Sequence, residues 1–186
     1  MDKEIIAAIA LGIGLSASTG FRVFLPLLVA AIAARLGFLP VNESFAWLES
    51  TPALAALSVA TIIEIIAYYI PFIDNLLDSI AMPLAIGAGT LLAASVIPVD
   101  NSFLKWLMSI VIGGGSSATV QGGLATLRLV SSGTTAGIAN PVISTGENAA
   151  AVGVSVLAIA IPVLIAGLVI ILMIFILRKI FKKKRI

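Results

Sequence analysis

The chain contains neither cysteine nor histidine, and only 11% of its 186 residues are charged. It therefore cannot form disulfides, bind zinc through sulfur or imidazole, ligate haem through histidine, or use these side chains in catalysis. Soluble domains carry about 25% charged residues, so the shortage of charge argues against a water-soluble fold. From these absences we expect a protein that is not an enzyme and holds no cofactor.

The residues that replace charge are apolar. Hydrophobic residues make up 60% of the chain, and its mean hydropathy is +1.19. A helix needs about 20 apolar residues to cross the hydrocarbon of a bilayer. The pattern predicts an all-α, polytopic transmembrane helix bundle of about five spans, near residues 5–36, 52–70, 79–97, 103–130 and 149–177.

Two of these spans are irregular. The first is long, and it is broken by glycines, hydroxyl residues, Arg22 and Pro26, so it is either one kinked helix or two half-helices that meet within the membrane. Such breaks occur at membrane depth only where they are buried in protein or line a cavity. The last span contains Pro162, which predicts a kink.

Two pairs of segments also resemble each other within the chain. Residues 12–18 align with 113–119 as Gly/Ser-rich stretches, and residues 71–78 align with 141–148 as polar turns that begin with proline. Many transporters are built from such halves, and the sequence therefore predicts an internal inverted repeat.

The basic residues predict the orientation. Residues 178–186 hold six of the eleven lysines and arginines directly after an apolar segment, so residues 1–177 form one transmembrane domain with a basic tail. The positive-inside rule places this tail in the cytoplasm, at the inner membrane, in contact with lipid headgroups and not with nucleic acid. With five spans, Arg35 and Lys105 would share that side, whereas Arg128 would point inward or lie at the far interface.

Several ionisable residues lie in or beside the apolar tracts, where a charge costs about 2.5–3.5 kcal/mol on insertion scales. Arg22 either holds an anionic group or pairs with a carboxylate, for which Glu64 and Glu147 are the natural choices. Glu64, which shares a helix face with Tyr68, is a proton carrier, a cation ligand or the partner of Arg22.

Two polar turns offer further ligands. Asp74 and Asp78 either cap the third span or form a hard-cation site with Asn75 for Na⁺, Ca²⁺ or Mg²⁺. In the second turn, Asn140 is placed as an N-cap before Pro141, and the helix start is either a ligand-binding end or a capped re-entrant helix whose Glu147 binds Arg22 or Arg128. The candidate residues for binding substrate or ion are Ser18, Thr19, Arg22, Glu64, Asp74, Asn75, Asp78, Asn140, Ser144 and Glu147.

Three strings carry a resemblance to a known family. They are Ser-Thr-Gly-Phe-Arg-Val-Phe-Leu-Pro at 18–26, Asp-Asn-Leu-Leu-Asp at 74–78, and Asn-Pro-Val-Ile-Ser-Thr-Gly-Glu-Asn at 140–148. With them the chain, apart from its basic tail, resembles a family of small prokaryotic polytopic membrane proteins described as a domain of unknown function. The resemblance implies that these polar segments matter, but it transfers no activity.

Three functions remain open from the sequence. The first is a small secondary transporter or channel that moves a small solute or ion, with an anionic solute in view, and whose carboxylates bind a coupling H⁺ or Na⁺. The second is a lipid flippase, scramblase or headgroup-binding protein. The third is a non-transporting subunit whose small-residue helices mediate packing. The expected partners are the lipid bilayer, a small solute or ion, and further copies of the chain.

Overall fold

A computed structural model of the protein describes residues 2–135 and 138–183. Within these ranges the chain forms helices and connecting turns and no strands, which confirms the all-α bundle. A 3₁₀ helix, Glu43–Glu49, precedes the third helix, and a π-helical turn, Ile110–Gly114, joins the fifth to the sixth. The helices are α1 (Asp2–Thr19), α2 (Phe24–Arg35), α3 (Thr51–Ala67), α4 (Pro71–Val96), α5 (Ser102–Ser109), α6 (Gly115–Thr135), α7 (Asn140–Ala160) and α8 (Pro162–Lys183).

The first two helices form a hairpin that turns back inside the bundle. α1 runs antiparallel to α4, because Ser16 Oγ donates to the Gly89 carbonyl (2.7 Å) and Thr19 Oγ1 to the Ala85 carbonyl (3.2 Å). After α2, the Asn42 amide donates to the Ala94 and Ile97 carbonyls, so the chain has returned to the end of α4. Of the two expectations for this tract, one kinked helix is wrong, and two helices meeting within the bundle is confirmed.

The last predicted span also separates into two helices. Gly14 lies against both Ala158 of α7 and Ile165 of α8, which therefore pack side by side. The backbone leaves the helix at Ile161 (φ −140°, ψ 64°), and Pro162 opens α8. The expectation of a single span with a kink at Pro162 is wrong, since proline here starts a new helix that runs back along α7.

Four helical stretches of the described chain are long and apolar enough to cross a membrane: α4, the continuous stretch Ser102–Thr135 that joins α5 to α6, α7 and α8. The bent pair Glu43–Glu49 with Thr51–Ala67 makes up to five. This number agrees with the expectation of about five spans, but the segments differ. The first predicted span forms the α1–α2 hairpin, and the last forms two helices, α7 and α8. α8 runs beyond residue 177 to Lys183, so the basic segment begins within a helix.

The two ends of the bundle carry different charges. We call the end where α4 begins and α8 finishes the tail end, and the opposite end the head end. Arg35 at the end of α2 donates to Thr51 (3.0 Å), and Lys105 lies on α5 just after α4 has finished. Both residues therefore lie at the head end, and the expectation that they share the side of the basic tail is wrong.

The two pairs of similar segments run in parallel. Residues 12–18 and 113–119 contact each other, with Ser117 Oγ donating to the Ser16 carbonyl (2.7 Å), and both segments run antiparallel to α4. α4 and α7 both start at the tail end, because Asp74 and Asn140 are hydrogen bonded to each other (3.2 Å). A repeat built from these segments has parallel rather than inverted topology.

α1 lies at the centre, packed by α4, α6, α7 and α8. Small residues allow the closest crossing, where Gly89 of α4 meets Gly113 and Ser117 with no room for a Cβ atom at either glycine. Helices in membranes associate through such small residues because the lipid provides no hydrophobic drive for packing. This crossing fixes the hairpin against α4 and α6, and thereby the position of its tip.

Candidate functional site: a buried charge cluster at the hairpin tip

The turn between α1 and α2 places Arg22 in the interior. The Ser18 carbonyl accepts from the backbone N–H groups of Phe21 (3.1 Å) and Arg22 (3.4 Å), which closes the turn. A Cβ atom at Gly20 would lie 2.6 Å from Cβ of Val120, so only glycine lets α6 approach this turn. As a result the Arg22 side chain is buried, with 1% of its surface exposed.

Every nitrogen of the Arg22 guanidinium has a partner. Nη1 donates to Oε2 of Glu147 (2.7 Å), Nε to Oδ1 of Asn148 (2.6 Å), and Nη2 to the Ser144 carbonyl (3.2 Å). The pairing of Arg22 with Glu147, one of the two predicted partners, is therefore present, and both side chains are buried. With a further bond from Nη1 to the Phe21 carbonyl (3.3 Å), four of the five N–H donors are used by the protein, and one N–H of Nη2 remains.

Arg128 of α6 is the centre of the cluster. Its Nε and Nη2 both donate to the carboxylate of Glu147, the first at 2.9 Å, and Nη2 also donates to Ser144 Oγ (3.1 Å). Its Nη1 donates to Oδ1 of Asp74 and lies 3.3 Å from Oδ1 of Asp78. The set of candidate residues drawn from the sequence omitted Arg128. The sequence offered Arg128 only as an inward-pointing residue or as a partner of Glu147, and the contact with Glu147 is confirmed.

Asp74 and Asn140 extend the cluster toward the tail end. Asn140 Nδ2 donates to Oδ2 of Asp74 (3.2 Å), while its Oδ1 accepts from Ser131 Oγ (3.1 Å). The expectation that Asn140 caps α7 is wrong, because it is the first helical residue and its side chain makes no cap hydrogen bond. Pro141, the second residue of α7, has no backbone N–H to donate. The Asn140 side chain instead donates to Asp74, which contacts Arg128 through its other oxygen.

Asp78 is held more loosely than the other carboxylates. It lies one helical turn after Asp74 on the same face of α4, as expected from their spacing. Its Oδ1 has no hydrogen-bond donor in the described part of the chain, its contacts with Arg128 are 3.3–3.4 Å long, and 29% of its side chain is exposed. The side chain of Asn75, the third member of the expected cation site, lies outside the described residues.

The expected site is not assembled by the described residues in the form that a divalent cation, Ca²⁺ or Mg²⁺, requires. They contain no group of three or more acidic side chains placed to hold a metal ion. Asp74 is turned toward Arg128 and Asn140, so its oxygens are already used. A divalent ion would need several free oxygens, and this turn does not supply them.

Glu64 serves a purpose that the sequence did not indicate. Its Oε1 accepts from the backbone N–H of Val23 (2.7 Å) and its Oε2 from that of Phe24 (3.0 Å). The carboxylate thus caps the start of α2 from a neighbouring helix, where unpaired N–H groups and the helix dipole favour a negative charge. The alternative that Glu64 is the ion-pair partner of Arg22 is wrong, because the guanidinium bonds Glu147 instead.

Tyr68 supports both arginines. The Arg22 guanidinium carbon lies 3.8 Å from the centre of the Tyr68 ring, and that of Arg128 lies 4.8 Å away. A cation over an aromatic face is stabilised by about 0.5–2 kcal/mol, more when it is buried. The predicted shared face with Glu64 was the signal for this residue, because it places Tyr68 one turn closer to the tail end.

Ser18 and Thr19 are not part of the charge cluster. Ser18 Oγ donates to the Leu15 carbonyl and accepts from Ser155 Oγ, while Thr19 Oγ1 donates to carbonyls on α1 and α4. Both hydroxyls are fully buried and bonded to protein. They join α1 to its neighbours and offer no free group to a ligand.

The charges of the cluster do not balance when every group is ionised. Two arginines, Arg22 and Arg128, face the three carboxylates of Asp74, Asp78 and Glu147, so the cluster carries one excess negative charge. A buried charge without a partner costs several kcal/mol, and groups in this situation take up a proton or bind an ion instead. The arrangement therefore favours uptake of one positive charge, and loosely held Asp78 is its natural acceptor.

These features define an integral membrane protein that is helical in its described part, with a largely buried charge cluster at the tip of the α1–α2 hairpin. The chain belongs to the DUF4126 family, described as a domain of unknown function, whose profile matches residues 9–182. The resemblance seen in the sequence is thereby confirmed. Comparisons with curated proteins and with solved structures found no match.

Proposed function

We propose that the protein is a small secondary transporter or channel whose buried carboxylates bind a coupling H⁺ or Na⁺. The observation that carries this proposal is the excess negative charge of the cluster, combined with the loose attachment of Asp78. Ionisable residues inside a membrane bundle commonly mark ion pathways and proton relays. Asp78 takes up the cation, and the remaining carboxylates stay paired with the arginines.

The role of Arg22 and Arg128 in this proposal differs from the one that the sequence suggested for Arg22, which was to hold an anionic group. Because each guanidinium nitrogen already donates to protein, Arg22 and Arg128 position the carboxylates and do not receive an anionic solute. Asp78 lies seven residues, or about 10 Å, along α4 from its start, so the cation reaches it from the tail end. With the basic residues at this end in the cytoplasm of an inner membrane, the site exchanges cations with the cytoplasm.

A solute-independent experiment tests the site. Purified protein in weakly buffered detergent solution receives NaCl, KCl or choline chloride, and a pH-sensitive dye reports protons released. If Na⁺ is the coupling ion, we expect NaCl to displace a proton from the wild-type protein. If H⁺ is the coupling ion, we expect no such displacement, and the protein in liposomes should carry a proton flux under an imposed potential. Asp78→Asn should abolish either signal, while Ser79→Ala, an exposed neighbour on α4, should retain it.

The competing function of a non-transporting subunit predicts a different result. A purely structural ion-pair network would give no proton release and no flux above that of empty liposomes, in the wild type or in either variant. A lipid scramblase would move labelled lipid between leaflets in the same liposomes without any dependence on Asp78. Self-association remains a prediction, which the mass of the purified particle in detergent tests.

A further inference from the structure

A lateral cavity lies beside the charge cluster, between α2, α3 and α4. Its volume is about 250 Å³, and apolar side chains such as Phe24, Ile63, Leu77 and Leu84 form most of its wall. Ile63 and Leu84 are themselves 62% and 41% exposed, so the cavity opens on the apolar flank of the bundle. A molecule could enter it from the bilayer without crossing the charge cluster.

Among the described residues that line the cavity, two have polar side chains, Glu64 and Tyr68. The Glu64 carboxylate accepts two backbone hydrogen bonds and has lone pairs left, since an ionised carboxylate offers about four acceptor positions. Tyr68 is 93% buried and lines the cavity one helical turn after Glu64. The cavity thus offers a carboxylate and a phenol on an otherwise apolar wall.

The charges select the kind of molecule that fits. Both arginines near the cavity are occupied by carboxylates, and the adjoining cluster carries an excess negative charge. Neither arginine is among the described residues that line the cavity, so an anionic molecule would meet an unfavourable potential there, while a purely apolar one would make no use of the carboxylate or the phenol. A molecule that pairs an apolar body with a cationic N–H donor satisfies both polar groups.

We propose that this cavity binds a small amphipathic amine, with its ammonium group at Glu64 and Tyr68 and its apolar body between α3 and α4. The inference rests on the proposed function, because it identifies the cavity as the solute site of the transporter. It replaces the anionic solute that the sequence had suggested with a cationic one. Ala60 and Ala81 leave room for the body of the molecule, and a larger side chain at either position would fill that space.

Three fluorinated probes with the same ring separate the candidate chemistries. 4-Fluorobenzylamine carries an ammonium group at neutral pH, 4-fluorobenzoate a carboxylate, and 4-fluorotoluene no polar group. Binding to the purified protein in detergent is measured by fluorine NMR line broadening, with protein-free micelles as the baseline. We expect saturable binding of the amine, none of the benzoate, and for the toluene only the partitioning seen with empty micelles.

Variants of the wall locate the binding. Tyr68→Phe keeps the ring against the arginines and should weaken amine binding about fivefold, the value of one hydrogen bond. Glu64→Gln should weaken it about tenfold to a hundredfold through loss of a charged partner. Because Glu64→Gln also disturbs the cap of α2, Ala60→Leu provides an independent test by filling the cavity, with exposed Ala56→Leu one turn earlier as its matched control.

The outcomes decide the proposal separately from the coupling function. Preference for the benzoate, equal binding of the toluene, or no saturable binding of any probe would each overturn it. Amine binding that persists in both Glu64→Gln and Ala60→Leu would also overturn it, since the molecule would then lie elsewhere. Asp78→Asn should leave amine binding intact while it removes proton release, so failure of one proposal is distinguishable from failure of the other.

Discussion

Removal of Arg128 is the strongest test of the charge cluster. In Arg128→Met the guanidinium that contacts Asp74, Asp78 and Glu147 is lost, and three carboxylates remain in the interior with Arg22 alone. Breaking a buried ion pair by removing one partner costs about 3–5 kcal/mol, because the remaining charge is left without compensation. We therefore expect the free energy of unfolding to fall by about this amount.

A double-mutant cycle shows whether the loss is electrostatic. Adding Asp74→Asn to Arg128→Met removes one of the uncompensated carboxylates, so the double variant should be more stable than the sum of the single effects predicts, by about 1–3 kcal/mol. Unfolding by SDS in mixed micelles, followed by circular dichroism, measures each variant. Arg178→Met, at an exposed position near the tail end, controls for loss of an arginine as such.

The reasoning fails if the single effects of Arg128→Met and Asp74→Asn simply add. Additive effects would mean that Arg128 contributes through packing and not through its charge. A second contradiction would be a stability of Arg128→Met equal to that of Arg178→Met, because a largely buried network of five charges should be destabilised by the loss of its central cation.

Three further predictions concern other parts of the bundle. Gly113→Ala should destabilise the protein by about 1–3 kcal/mol in the same unfolding assay because it overpacks the crossing with Gly89, whereas Gly133→Ala, with open space around it, should not. Glu64→Gln should cost about 0.5–2 kcal/mol, the value of a helix cap, since the amide can accept only one of the two N–H bonds. A reporter fused after residue 186 that is active only in the cytoplasm should be active, and its inactivity would reverse the proposed orientation.

Much of the chemistry of the site was predictable, because charges in an apolar chain are conspicuous. From the cost of a lone charge in lipid, Arg22 was expected to hold an anionic group or to pair with Glu64 or Glu147, and the pair with Glu147 is present. Asp74 and Asp78 were placed on one helix face from their spacing alone, and they are. These inferences needed only residue type and local periodicity.

The path of the chain was less predictable. In a membrane helix every face can be apolar, so hydropathy cannot distinguish one kinked span from two antiparallel helices joined at Pro162. The hairpin at Gly20–Val23 depends on the close approach of Val120, a residue 100 positions away, and no local signal shows such an approach. The contacts of Arg128 with Asp74 and Asp78 and the cap formed by Glu64 were missed for the same reason, since both depend on which helices become neighbours.

The wide separation of the partners along the chain has a consequence for biogenesis. Arg22 leaves the ribosome early, but Glu147, its ion-pair partner, is 125 residues downstream. The start of α2 likewise stays uncapped until α3 has been inserted. The contacts that hold the first hairpin in its final place are therefore incomplete until α7 has been synthesised. A chain truncated before α7 would leave Arg22 without its carboxylate partner.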